Sequence, residues 1–510
     1  MIYHHNFIRN RDAANAKNQV DHGLKQRSIM PKTLFDKIWG THQVTPLPDG
    51  SALVLVDRIF LHERTGSIAL TSLEDSGRAL HAPDKVFCTM DHIVDTFPGR
   101  GDETLMPGGT EFITTTRRAA LDAGIRLFDI QDPDQGISHL ISAEQGITLP
   151  GLTVVCPDSH TCTLGALGAM AWGIGSSDCE HALATSTLRV IKPKQMQVKL
   201  TGIRQPGVYA KDIILALIRE HGTAGGEGMA IEFCGSVVES MSMDERFTLC
   251  NMATEFSAFT ALIAPDKTTI DYVKGKTYTP KDNDWQEAIE QWKGLKTDHY
   301  ASFDQELELD CSAIEPMISW GTSPEQTIGV NESTPKTGDI LTSQGAARRK
   351  AFAYMDLSPN QSIVGTEIDG AFIGSCTNGR LSDLKIAAEV LRGKQVSPDV
   401  KAVCTPGSSF VKREAERLGL HRVFMDAGFE WREPGCSLCF YAGGEGFNDK
   451  ERVISTTNRN FQGRQGRGTR THITSPAMVA AAAIAGKVVD CRDFMNGVAA
   501  DSRLRRTGAA

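Results

Sequence analysis

Ala371-Phe372-Ile373-Gly374-Ser375-Cys376-Thr377-Asn378 is an apolar β-type run that stops in small and polar residues, and Leu381 to Leu391 (LSDLKIAAEVL) follows it at helical spacing. Strand, polar cluster and helix form the unit from which open α/β sheets are built, and such sheets take their ligands outside the carboxyl ends of strands. The beginning of this pattern recurs upstream. Lys85-Val86-Phe87-Cys88-Thr89 leads to Met90-Asp91-His92, and Leu152-Thr153-Val154-Val155-Cys156 leads through Pro157 to Asp158-Ser159-His160-Thr161. Each run ends in ionisable or thiol-bearing residues rather than in a simple turn. An α/β protein whose clusters converge on one site is therefore expected.

A chain of 510 residues exceeds what one hydrophobic core supports, so roughly two to four domains are expected. A polar, strand-poor stretch over 274–310 and a Gly/Ser/Thr/Pro-rich stretch over 322–343 read as boundary regions. A last domain starts near Ile363 and closes with a helix opened by Ser475-Pro476 and stopped near Gly486. The resulting division is an extension over 1–29, domains over 30–195, 196–320 and 363–494, a linker over 321–362 and a tail over 495–510. No internal repeat is evident.

Hydrophobic content of 40% and charged content of 23% describe a folded enzyme-like protein, and a net charge of -8 implies no polyanion partner. The longest apolar stretch, around Ala477 to Ala485, falls well short of the ~20 residues that cross a bilayer. Residues 1–29 lack the apolar core of a secretory signal and read as a disordered extension. Twelve dispersed cysteines suit a reducing, cytoplasmic setting, where Cys88, Cys156, Cys234 and Cys250 are small core residues. Neither a membrane nor nucleic acid is an expected partner.

Three cysteines stand apart. Pro434-Gly435-Cys436-Ser437-Leu438-Cys439 is a CxxC, and Cys376 precedes it in Ser-Cys-Thr-Asn. A lone CxxC is compatible with half a zinc site, a dithiol or chance. No second CxxC or HxxxH completes a zinc ribbon, and three thiolates leave a metal position open for chemistry. Asp91 beside His92, His139, Asp158 near His160, and Glu232 supply candidate carboxylate–histidine pairs that raise imidazole basicity. Arg459, Arg464, Arg467 and Arg470 crowd one segment. They read as an RG-type nucleic-acid tract, a solvated basic loop, or forks for a dicarboxylate. The glycines of Leu164 to Asp178 lack the third glycine of a dinucleotide loop and are assigned to close helix packing.

Phe372-Ile373-Gly374-Ser375-Cys376-Thr377-Asn378, Pro434 to Cys439, and Asn458-Arg459-Asn460-Phe461-Gln462-Gly463-Arg464 resemble, in that order, the cluster and substrate motifs of the aconitase family. Gln135-Gly136-Ile137-Ser138-His139, Pro157 to Thr161, Leu249-Cys250-Asn251-Met252-Ala253 and Gly463 to Gly468 are closest to its isopropylmalate dehydratase branch. The likeness runs from about Met30 to Phe494. It implies an α/β, aconitase-like fold of three α/β/α domains around a central iron–sulfur cleft, without the family's swivel domain. It also implies that Cys376, Cys436 and Cys439 hold three irons of one 4Fe-4S cluster, whose fourth iron meets the substrate.

By the same resemblance His92 protonates the leaving hydroxyl, with Asp91, His139, Asp158, His160 and Glu232 around it. Ser159, Asn458, Arg459 and Arg464 bind substrate. The implied reaction exchanges 2- and 3-isopropylmalate through isopropylmaleate, toward leucine. A separate small swivel-domain subunit is the expected partner, because the tail is too short for that domain. Departures after His92, and Phe440-Tyr441-Ala442-Gly443-Gly444 after the CxxC, leave room for citramalate or dimethylmalate as substrate. A cluster-free RNA-binding homologue is the reading from another class, and a zinc or dithiol redox protein is a third.

Overall fold

The computed structural model describes residues 30–338, 342–441 and 443–495. The expectations for 1–29 and for the tail beyond Met495 fall outside these residues. Fourteen strands form three parallel sheets. The first holds β1 (Arg58–His62), β2 (Val86–Thr89), β3 (Arg126–Phe128), β4 (Thr153–Cys156) and β5 (Met170–Gly173), in the order β3-β2-β1-β4-β5. The second holds β6 (Gln195–Thr201), β7 (Ala230–Cys234), β8 (Thr260–Leu262) and β9 (Gln305–Asp310), in the order β8-β7-β6-β9. The third repeats the first's order as β12-β11-β10-β13-β14, with β10 at Gly370–Ile373, β11 at Lys401–Cys404, β12 at Glu430–Trp431, β13 at Arg452–Ser455 and β14 at Arg470–Ile473.

Parallel strands are covered on both faces, so their sequences run apolar without alternation. VFCT, TVVC, GAFI and RVIS are buried at every position. In each sheet the chain starts at an inner strand, grows to one side, then returns to the other side of the first strand. The reversal opens a crevice at the carboxyl ends of β1 and β4, and another at β10 and β13, which is where such sheets bind ligands. This shared topology is a repeat that identical residues do not mark.

Two boundary expectations are corrected by packing. The stretch 274–310 contains a helix, Asp282–Lys293, and β9, an edge strand whose residues alternate between more and less exposed. The expected linker 321–362 instead joins the third core. Ile328, Val330, Ala351 and Phe352 pack there, and the Phe352 ring stacks on Trp320 at 4.5 Å. The helices over Leu381–Leu391 and Pro476–Ala485 form where the pattern places them, the latter ending at Gly486 with φ +66°. Gly165 and Gly173, two of the glycines near 164–178, serve backbone contact rather than helix packing. A Cβ on Gly165 would sit 1.6 Å from the Ala261 carbonyl oxygen, and one on Gly173 would meet that of Asp158 at 2.5 Å.

Backbone bonds stitch the first domain to the third: Ile137 N–H donates to the Gly407 carbonyl at 2.9 Å and Cys436 N–H to that of Asp91 at 2.8 Å. Between the second and third domains lies Lys211, fully buried on the helix Ala210–His221. Its ammonium donates to the Thr456 and Thr457 carbonyls at 2.8 and 2.7 Å and to Asn378 Oδ1 at 3.3 Å, one acceptor for each proton. Burial pulls its pKa down to about 7.

At the seam between first and third domains, a Cβ on Gly136 would lie 2.5 Å from Ser408 Cβ and 2.6 Å from its Cα. Gly136→Ala is expected to destabilise the protein by about 1–3 kcal/mol through this overpacking, read as a lower denaturation midpoint in urea. An unchanged midpoint would show that the seam yields freely.

Candidate active site

The crevices of the first and third sheets meet at one place. Cys376 leaves the carboxyl end of β10, while Cys436 and Cys439 come from the loop after β12, and all three pack in one buried group with Ile137 and Leu140. Tight turns bring them there. Ser375 has φ +75° and Ser437 φ +49°, left-handed conformations that cost about 1–3 kcal/mol each and persist where packing enforces them.

Polar donors surround the sulfurs. The Asn251 and Asn458 side-chain amides point at Cys376 Sγ from 3.3 and 3.4 Å, and Arg464 reaches Cys439 Sγ at 3.7 Å. Burial pushes the Cys376 thiol up to about 12 and that of Cys436 well above its usual range, so neither ionises at neutral pH without added positive charge. Three thiols buried in one group, with N–H donors aimed at two of the sulfurs, have the chemistry of a thiolate-held iron–sulfur cluster.

A chain of acids and imidazoles faces the thiols. His92 Nδ1 is 2.6 Å from Asp91 Oδ1, and its Nε2 is 3.0 Å from Asp158 Oδ2. Burial opposes charge on this ring, but the charge of Asp91 and the hydrogen bonds to Asp158 and Asp91 outweigh it and hold the His92 pKa well above the usual value. The other Asp158 oxygen accepts from the His160 backbone at 2.7 Å and lies 3.2 Å from His139 Nε2, within ion-pair distance but out of hydrogen-bond alignment. Against burial, these histidines keep Asp158 ionised far below the usual carboxylate range. His160 continues to Glu255 at 2.9 Å, and Glu255 to Arg459 at 2.6 Å.

Glu63, just past β1, accepts the backbone N–H groups of Asp91, His92, Ile93 and Val94 and thereby shapes the His92 loop. His62 stacks on His92 with ring centres 4.1 Å apart. Burial and the charge on His92 pull the His62 pKa down to about 4. The neutral ring donates from Nε2 to the Pro157 carbonyl at 3.1 Å, leaving Nδ1 a buried acceptor without a hydrogen-bond partner.

The aconitase family (aconitate hydratase) model matches residues 36–486. The chain belongs to the aconitase family. It is 48% identical over 462 residues to "3-isopropylmalate dehydratase large subunit 1" of Bradyrhizobium diazoefficiens, covering 90% of this chain and 96% of that relative. Among solved structures, the holo-form of Thermococcus kodakaraensis aconitase X matches with a TM-score of 0.42 and 12% identity, over 80% of this chain and 84% of that one.

In this aconitase-family chain the structure gathers Asp91, His92, His139, Asp158, Ser159, His160, Asn458, Arg459, Arg464 and the three cysteines. Glu232 is not among them. It lies on β7, accepts from Thr297 Oγ1, which stands 2.8 and 2.6 Å from its two oxygens, and lines a separate cavity of about 590 Å³ in the second domain. Glu255 stands where Glu232 was expected, two residues beyond the Leu249 to Ala253 motif. Arg470 turns away from the site to the Tyr354 carbonyl at 3.0 Å and to Asp356 at 3.3 Å. Glu63 and His62 carry the signal that marked the other clusters, because Arg58-Ile59-Phe60-Leu61 is another apolar run that stops at ionisable residues.

The depressed pKa of His62 makes a stability prediction. The folded state binds this proton less readily than the unfolded chain, so the contribution is complete above pH 6.5 and is lost as pH falls toward 4. His62→Gln is expected to flatten the fall of unfolding free energy between these limits by about 3 kcal/mol. Denaturation series on wild type and variant across that range measure it, and parallel curves would remove His62 as a source of acid sensitivity.

Proposed function

We propose that this chain is the large subunit of a hydro-lyase that isomerises 2- and 3-isopropylmalate by dehydration and rehydration through isopropylmaleate, in leucine biosynthesis. The observation that carries the reading is the meeting of three buried thiols with an imidazole held charged by two carboxylates. The close relative's name supports the reaction and substrate.

Cys376, Cys436 and Cys439 would hold a 4Fe-4S cluster, one per chain, which supplies a Lewis-acidic iron toward the substrate hydroxyl. The rest falls to this chain's own side chains. An alcohol leaves poorly as hydroxide, and His92 carries the proton that turns it into water. Asp91 and Asp158 fix the ring between them, so the proton is presented from a defined direction. Arg464, Arg459, Asn458 and the exposed Ser159 bind carboxylates, and the guanidinium forks stabilise the charge that grows on one carboxylate as its α-proton departs. Glu255 aligns Arg459 and His160 without touching substrate.

The relative's description as a large subunit supports a separate small subunit, which closes the cleft to water and supplies the acceptor for the α-proton. Assembly in the cytoplasm, where iron–sulfur clusters meet reduced thiols, accords with twelve cysteines that are all free among the described residues.

Cys376→Ser, Cys436→Ser and Cys439→Ser are each expected to abolish stable cluster retention after anaerobic reconstitution. Cys404→Ser, deep in the third core, is expected to keep full iron and sulfide content. Normal iron and sulfide in any of the first three would remove that residue from the ligand set. With the small subunit added, Arg464→Lys keeps the charge but loses the planar fork, and kcat/KM should fall about a hundredfold. A value near that of wild type would take Arg464 out of substrate binding.

A further inference from the structure

One cation beside the site has no assigned role. Arg64 follows His62 and Glu63 off the carboxyl end of β1, at the first sheet's switch point, and its side chain is exposed. Among the described residues its only recorded partner is the ring of Phe440, whose centre lies 5.0 Å from the guanidinium carbon. Arg464 approaches the same ring to 5.6 Å, and the His92 ring is 5.9 Å away. Phe440 directly follows Cys439, so Arg64, His92 and Arg464 surround one aromatic side chain next to the thiols.

Both guanidiniums have unused capacity. Among the described residues the N–H donors of Arg64 meet no oxygen acceptor, and Arg464 Nε is buried without a hydrogen-bond partner. Two like charges sharing one ring repel each other, and an anion between or beside them relieves the repulsion while filling the empty donors. The aromatic ring keeps the forks apart, so a ligand with two separated carboxylates suits them better than one with a single carboxylate.

Resting on the reading of the substrate as a hydroxy dicarboxylate, we propose that Arg64 is a substrate-binding residue: it takes the carboxylate farther from Cys439, and Arg464 takes the nearer one. The first domain then contributes a binding charge as well as the proton donor. Phe440 sets the distance between the two carboxylate sites, which makes it the residue that measures the substrate's length.

The test uses holoenzyme reconstituted anaerobically with its small subunit. Arg64→Gln is expected to raise KM for isopropylmalate on the order of ten- to a hundredfold, with a much smaller change in kcat and an unaltered visible cluster absorption. Arg64→Lys, retaining charge without the fork, should recover part of the loss. Calorimetric titration with succinate needs no turnover and should weaken by a similar factor in Arg64→Gln, whereas butyrate binding should be the same in both proteins. A wild type that fails to dehydrate isopropylmalate would overturn the functional reading; equal succinate affinity in wild type and Arg64→Gln overturns the role of Arg64. So does a raised KM that returns to normal when excess small subunit is added, since Arg64 would then be holding the partner.

Discussion

The carboxylate of Asp158 is the point on which the site depends. His92 bonds to one oxygen, the His160 backbone donates to the other, and the His139 and His160 rings lie within ion-pair distance of it, so a single ionised group faces three imidazoles. From it an alternating series of acids and bases runs in both directions, to Asp91 on one side and through His160 and Glu255 to Arg459 on the other. Asp91, His92, Asp158 and His160 belong to the first domain, Glu255 to the second and Arg459 to the third. The same polar chain that sets the charge of His92 therefore holds the three domains in register. Opposite charges in a poorly solvated place attract strongly, while any one left unpaired is costly. Displacing one domain would leave Glu255 or Arg459 uncompensated, so catalytic geometry and domain packing fail together.

Legibility in the sequence followed burial. Strands covered on both faces, such as Thr153–Cys156 and Gly370–Ile373, show themselves as uninterrupted apolar runs, and their polar ends marked Asp158 and Cys376 as site residues. Glu232 and Glu255 could not be separated in this way. Both acids follow apolar stretches, but Glu232 lies within a strand and Glu255 in a turn after the helix Met243–Met252, and only the packing of that turn against His160 decides between them. The supposed linker failed for a related reason. Its one strand, Thr327–Gly329, has three residues, too short for a periodic signal, and pairs with Met317–Ser319 just outside the stretch, so its apolar residues acquire meaning only against the third core. The repeated strand order was invisible because topology is conserved by burial pattern and not by identical residues.

Lys211 shows how a costly residue can be the right one. Taking an ammonium fully out of water is unfavourable, yet three acceptors receive its three protons, two of them carbonyls immediately before Asn458. A hydrophobic side chain of similar volume would relieve the desolvation and leave those carbonyls without a donor. The loop that presents Asn458 to Cys376 and Arg459 to Glu255 would then lose its anchor on the second domain. The charge is buried where it fixes two bonds of the site at once.

Thiol ionisation supplies the last constraint. Burial favours the protonated thiols of Cys376 and Cys436, so these two residues bring no negative charge of their own into the pocket. A cluster held as proposed would have to displace those protons, and the amides of Asn251 and Asn458 together with Arg464 are already oriented toward the sulfurs of Cys376 and Cys439. Such donors cannot by themselves ionise a buried thiol; they lower the cost once cationic metal provides the driving force. In the proposed ligand set the hydrogen-bond donors thus stand in place before any charge is made on the sulfurs, so ionisation there would call for little rebuilding of the packing around them.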